Sequence, residues 1–114
     1  MSHRRPNAQV RSRARAPVFA ALGDETRLAL VARLSEGHPR SIAQLTRGSR
    51  LTRQAIAKHL RVLERAGIVH SVRSGRESLF GFDPAPIDRM RRYLESVAGQ
   101  WEQALGRLKS FVEE

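Results

Sequence analysis

No cysteine occurs among the 114 residues, which excludes disulfides, thiolate metal sites and a cysteine nucleophile together. Aromatic residues make up 5% of the chain, too few for the stacking platform with which proteins hold unpaired RNA bases. Phe80 and Phe82 are the candidates for such a platform, but strand alternation buries them more simply. No stretch approaches the ~20 apolar residues needed to span a bilayer. The basic N-terminus has no apolar segment behind it, so it does not read as a secretory signal, and a cytoplasmic protein is expected. Acidic residues are sparse and scattered, and no glycine-rich phosphate loop is present. The histidines His3, His38, His59 and His70 lack metal-ligand spacing. Asp24 and Glu25 read as helix-capping residues. The expectation is a chain without catalytic residues, metal or cofactor.

What is present in excess is positive charge. Twenty-one Lys and Arg face eleven Asp and Glu, a net charge of +10. Such an excess points to a polyanionic partner. Its distribution is uneven: residues 1–16 carry +5, residues 47–65 carry +5, and residues 83–114 carry −1. A surface charged only for solubility would be more even.

Residues 1–16, rich in Arg, Ser, Pro and Asn, read as a disordered basic arm, with one folded domain over 17–114. As a tail the arm adds nonspecific affinity for nucleic acid; the alternative is entry into a minor groove. Val18, Phe19 and Leu22 suggest a short first helix. Asp24 is an N-cap candidate for a second, in which Leu28, Val31, Ala32 and Leu34 recur at helical spacing before Gly37 and Pro39. Ser41 and Gln44 form a capping box at the head of a short helix that ends near Gly48. Thr52 caps the next, whose buried stripe is Ile56, Leu60 and Leu63 and whose end is marked by Gly67. Two short helices across a tight glycine-containing turn, the second one basic, make a helix-turn-helix pattern. The period then changes to that of strands in 68–73 and 78–82, with Ser74-Gly75-Arg76-Glu77 as the turn of a hairpin. Beyond Asp83-Pro84, Ile87, Met90, Leu94, Val97, Trp101, Leu105, Leu108 and Val112 follow one another at spacings of three and four, close to a coiled-coil seam. The class is mainly α with a small β-hairpin.

With Ile56, Leu60 and Leu63 buried, Arg53, Gln54, Ala57, Lys58 and Arg61 face outward on a helix that fits the major groove of DNA. Arg53 suits the edge of guanine and Gln54 that of adenine, while Arg50 and Thr52 sit at the entry and suit phosphate. Arg73 and Arg76, at the hairpin tip, suit phosphate or the adjacent minor groove. His59 lies near the boundary of the buried face and reads equally as a packed histidine or as a DNA contact. The long final stripe, residues Met90, Leu94, Val97, Trp101, Leu105 and Leu108, reads as a homodimer seam with Phe19 and Leu22 of the first helix against it. A domain this small offers too little surface to cover so long a stripe alone.

The order of elements, with ALGDETRLALVARLSEG (21–37) and above all LTRQAIAKHLRVLERAGIV (51–69) followed by Gly75-Arg76, resembles the ArsR/SmtB winged-helix repressors over roughly residues 17–112. The resemblance implies a winged helix-turn-helix with a long C-terminal dimerisation helix. It also implies a homodimeric repressor that binds an inverted repeat in double-stranded DNA and, in some metal-independent relatives, represses its own operon. The chain departs from the metal-sensing members: the short helix around Ile42-Ala43-Gln44-Leu45 has no cysteine and the last helix no histidine. Ala57 also stands where many relatives have Ser or Thr. The rival reading is a protein-interaction module that docks a partner through the C-terminal helix.

Overall fold

A computed structural model describes residues 8–113, with side chains from Arg15 onward. The elements follow in the order α1 (Ala8–Leu22), α2 (Glu25–Leu34), β1 (Arg40–Ser41), α3 (Ile42–Thr46), α4 (Arg53–Arg65), β2 (Val69–Ser74), β3 (Glu77–Phe82) and α5 (Pro84–Glu113).

Local chemistry sets the boundaries around the helix-turn-helix. The Asp24 carboxylate accepts the Arg27 backbone N–H at 2.9 Å and opens α2. Ser41 and Gln44 complete a reciprocal capping box on α3, with bonds of 2.9 and 3.2 Å. The Thr52 hydroxyl oxygen accepts from the Ala55 N–H at 3.1 Å and opens α4. At the far end of α4 the Gly67 N–H reaches the Glu64 carbonyl and the Ile68 N–H reaches the Leu63 carbonyl, each at 3.0 Å. That pair of bonds is a Schellman motif, and it requires the left-handed backbone that Gly67 adopts at φ +77°. The chain therefore turns directly from the basic helix into the hairpin.

Leu30, Leu34, Leu45, Ile56, Leu60, Leu63, Ile68 and Val69 form the centre of the core, joined by Val18, Ala21, Phe80 and Met90. The helix-turn-helix is thus clamped from both sides, by α1 and α2 on one flank and the sheet on the other. In α2 the buried positions are Leu30 and Leu34, while Leu28 of the expected stripe is 52% exposed. Among the described residues no helix is long and apolar enough to cross a membrane.

Two features depart from the sequence reading. The first helix begins at Ala8 and not near Pro17, so residues 8–16 of the expected arm are helical; residues 1–7 lie outside the described residues. Arg and Ala are good helix formers, and Pro17 sits inside the helix at the cost of one backbone donor. The hairpin is also one edge of a three-stranded antiparallel sheet, ordered β1-β3-β2. Arg40 pairs with Phe80 and Ser41 with Leu79 on one side of β3, while Ser71 and Val72 face the same two residues on the other. A two-residue strand carries no period of its own, so only β3 reveals it.

Candidate nucleic-acid interface

The α4 helix is anchored by one face and offers the other. Ile56, Leu60 and Leu63, at spacings of four and three, are 2%, 0% and 0% exposed. Arg53, Gln54, Lys58 and Arg61 are exposed on the opposite side, as the burial pattern of a 3.6-residue helix requires. Arg50 is exposed in the turn before α4. The Thr52 oxygen is occupied as acceptor by the cap, which leaves its O–H as a donor toward an anion at the positive end of the helix.

The hairpin stands beside this helix. Gly75, at φ +62°, turns β2 into β3, with Arg73 and Arg76 exposed at the tip. The Ser71 hydroxyl donates to the Glu64 carboxylate at 2.7 Å and ties the root of the hairpin to the last turn of α4. Asp83 fixes the other end of the wing. Its N–H donates to the Ile68 carbonyl at 2.8 Å, and one carboxylate oxygen accepts the Ala85 N–H at 2.9 Å. The other oxygen lies 2.9 Å from the His70 Nε2. The Ala85 N–H and then His70 hold the Asp83 carboxyl below the usual carboxylate range.

His59 lies apart from the outward row. Its side chain is 23% exposed, and its Nδ1 is 3.3 Å from the Arg27 guanidinium and 3.8 Å from the Asp24 carboxylate. A guanidinium only donates, so in this pair Nδ1 is the acceptor. Arg27 donates as well to the carbonyls of Ala21 (2.6 Å) and Ala20 (3.4 Å) at the end of α1. One guanidinium thereby joins α1, α2 and α4. Sequence reading missed Arg27, because nothing local distinguishes it from the other arginines. The bond from the Arg27 backbone N–H, followed by the Arg27 charge, lowers the Asp24 carboxyl below its ordinary range.

A second surface is apolar. Leu94, Trp101, Leu105 and Leu108 are 51%, 67%, 54% and 57% exposed along α5, with Phe111 and Val112 beyond them. Phe19, Leu22 and Val97 are half-buried. An apolar groove of about 470 Å³ runs between Phe19, Leu22, Ile87, Leu94 and Ala98. Met90 departs from the expected seam: it is 4% exposed and packed into the core of its own protomer. Its place in the stripe is one where α5 still lies on the domain. Phe111, the most exposed large apolar residue of α5, falls beside the expected row rather than in it.

Comparison with known proteins adds the family. A helix-turn-helix domain family matches residues 22–72. An uncharacterised HTH-type transcriptional regulator of Bacillus subtilis strain 168, YuzN, is 40% identical, over 64% of this chain and 86% of that protein. The solved structure of an ArsR-like transcriptional regulator from Rhodococcus sp. RHA1 is 36% identical with a TM-score of 0.76, over 89% of this chain and 94% of that one. The homodimeric winged helix-turn-helix domain of Mb0332 from Mycobacterium bovis, a possible ArsR-family regulator, shares the fold at 18% identity, with a TM-score of 0.66 over 90% of this chain and 94% of that one. By sequence and by fold, the chain belongs to the ArsR family of winged helix-turn-helix, DNA-binding transcriptional regulators.

Proposed function

We propose that the chain is a homodimeric repressor of the cytoplasm, which places two copies of α4 in successive major grooves of a palindromic operator. The observation that carries this reading is the row Arg53, Gln54, Lys58 and Arg61, exposed on a helix whose other face is fully buried. Arg53 and Gln54 are the proposed base readers, for guanine and adenine respectively. Arg50, Thr52, Lys58 and Arg61 hold phosphate, and Arg73 and Arg76 of the wing hold phosphate or the neighbouring minor groove. His59 acts from behind, through Arg27, by fixing how α4 sits on α2. The dimer uses Phe19, Leu22, Leu94, Val97, Trp101, Leu105 and Leu108. The exposure of Leu94, Trp101, Leu105 and Leu108 supports this, and so does the homodimeric Mycobacterium bovis neighbour. Half-sites then lie about one helical turn, ~34 Å, apart. Repression of its own operon, without metal, cofactor or catalytic step, completes the reading.

The test is titration of the purified protein into labelled duplex from its own upstream region, beside a scrambled duplex, at several salt concentrations. Preferential, dimeric binding is expected, and each phosphate neutralised adds about −0.9 to the slope of log K against log salt. Absence of binding to either duplex at low salt rejects the reading. Equal affinity for both duplexes rejects self-repression and calls for selection from random sequence.

A further inference from the structure

We propose that the cleft between α1 and α5 binds a small amphipathic carboxylate, one per protomer, and that this ligand is the effector of the regulator. The cleft holds about 510 Å³ and is lined by Arg15, Val18, Arg89, Met90, Arg92 and Tyr93, together with Ser96. That volume is within the range of small-molecule sites, about 300–1,000 Å³. Two kinds of surface meet there. Val18 and Met90, 6% and 4% exposed, give an apolar floor continuous with the core. Three guanidinium groups share the lining with no carboxylate among the described residues.

The guanidinium groups are not equally engaged. Arg92 is 3.4 Å from the Asp88 carboxylate, which it shares with Arg91. Arg15 and Arg89 make no ion pair within 4.0 Å among the described residues, although the Arg89 charge acts at longer range on the Asp83 carboxylate. Nor can the preceding residues neutralise them, since 1–14 contain no Asp or Glu. The Arg15 guanidinium lies 4.5 Å from the centre of the Tyr93 ring, so a planar fork is already oriented at the site. A carboxylate matches that fork with two parallel hydrogen bonds. A bare inorganic anion leaves the apolar floor wet, and a neutral hydrocarbon leaves the arginines without a partner. One molecule carrying both parts satisfies both surfaces.

The position gives the ligand a role. At about 100° per residue, Arg89, Arg92, Tyr93 and Ser96 lie on the side of α5 away from Leu94, Trp101 and Leu105. The cleft therefore stays open while the apolar stripe is covered. At the same α1–α5 contact, Phe19 meets Tyr93 of the cleft edge to face at 6.1 Å. A ligand that separates or draws together α1 and α5 moves Phe19, Leu22 and, through Arg27, the seat of α4. This regulatory part rests on the repressor reading; binding itself does not.

Calorimetric titration of the full chain without DNA, using sodium octanoate, 1-octanol and inorganic phosphate as probes, tests the site. Octanoate should bind once per protomer, more tightly than octanol or phosphate by tenfold or more. Replacing Arg15 and Arg89 together (R15Q/R89Q) should weaken octanoate at least tenfold with an unchanged circular dichroism spectrum. Removing two exposed charges elsewhere on α5 (R107Q/K109Q) should leave it unchanged. No octanoate binding, equal binding of octanol or phosphate, or equal weakening by R107Q/K109Q overturns the site. Operator affinity is then measured with and without octanoate. Binding without any change in that affinity overturns the effector role while the site stands, and a chain that ignores DNA fails the repressor reading alone.

Discussion

Helices α4 and α5 carry the same signal, an apolar stripe at helical spacing, and end in opposite conditions. The stripe of α4 is consumed by its own domain, with Leu60 and Leu63 at 0% exposure. That of α5 is covered only as far as Met90; beyond it Leu94, Trp101, Leu105 and Leu108 are more than half exposed. The radius of gyration, 18.9 Å against about 13 Å for a compact domain of this length, reflects the projecting helix. A stripe thus calls for a covering surface, and tertiary placement decides whether its own chain supplies one. Burying apolar side chains stabilises by about 25 cal/mol per Å². The lower half of α5 gains that stabilisation only against another surface.

The largest expected effect lies at the buried stripe. Leu60→Ala should cost about 2–5 kcal/mol of stability in chemical denaturation, because a fully enclosed side chain leaves a cavity. A cost below about 1 kcal/mol would contradict the packing described. Trp101→Ala should leave the fold of each protomer intact and weaken dimerisation by about 2 kcal/mol or more, read by sedimentation as a higher dissociation constant. A dimer unaffected by this change would erase the distinction between the two helices. Arg53→Ala should cost about 1–3 kcal/mol on operator DNA and much less on scrambled duplex, whereas Arg76→Ala should weaken both alike. If both act uniformly, Arg53 is not a base reader.

Smaller effects probe the joints between regions. Gly67→Ala should cost about 1–2 kcal/mol, since a Cβ at positive φ is strained even where space allows it. The acid limb is the mildest test. The Asp24 carboxyl is lowered in the folded state, so its contribution is full at neutral pH and is lost as pH falls through the acidic range below about pH 5. Asp24→Asn keeps a capping side chain, and should flatten that loss in acid denaturation followed by circular dichroism.

The caps were readable because each depends on two or three neighbouring residues. Asp24, Ser41 with Gln44, Thr52 and Gly67 all stand where their local chemistry placed them. The outward row of α4 was readable for the same reason, from periodicity alone. What escaped is nonlocal. Strand β1 exists through its pairing with β3, and Arg27 gains its meaning from His59, 32 positions away. Met90 continues the α5 stripe in sequence, yet it is covered by its own core. The extension of α1 back to Ala8 escaped because arginine-rich composition argues for solvation as readily as for a helix.

Asp83 has a consequence for the operator. Its backbone and both carboxylate oxygens are engaged at once, with Ile68, Ala85 and His70. The wing and the first turn of α5 are therefore tied together at this residue. In the proposed dimer, α5 is also the axle between the two protomers. A spacer lengthened by one base pair turns one half-site by about 34° relative to the other. In that dimer the ties at the wing root leave little to absorb the rotation, and operator affinity should fall when one base pair is added to the spacer.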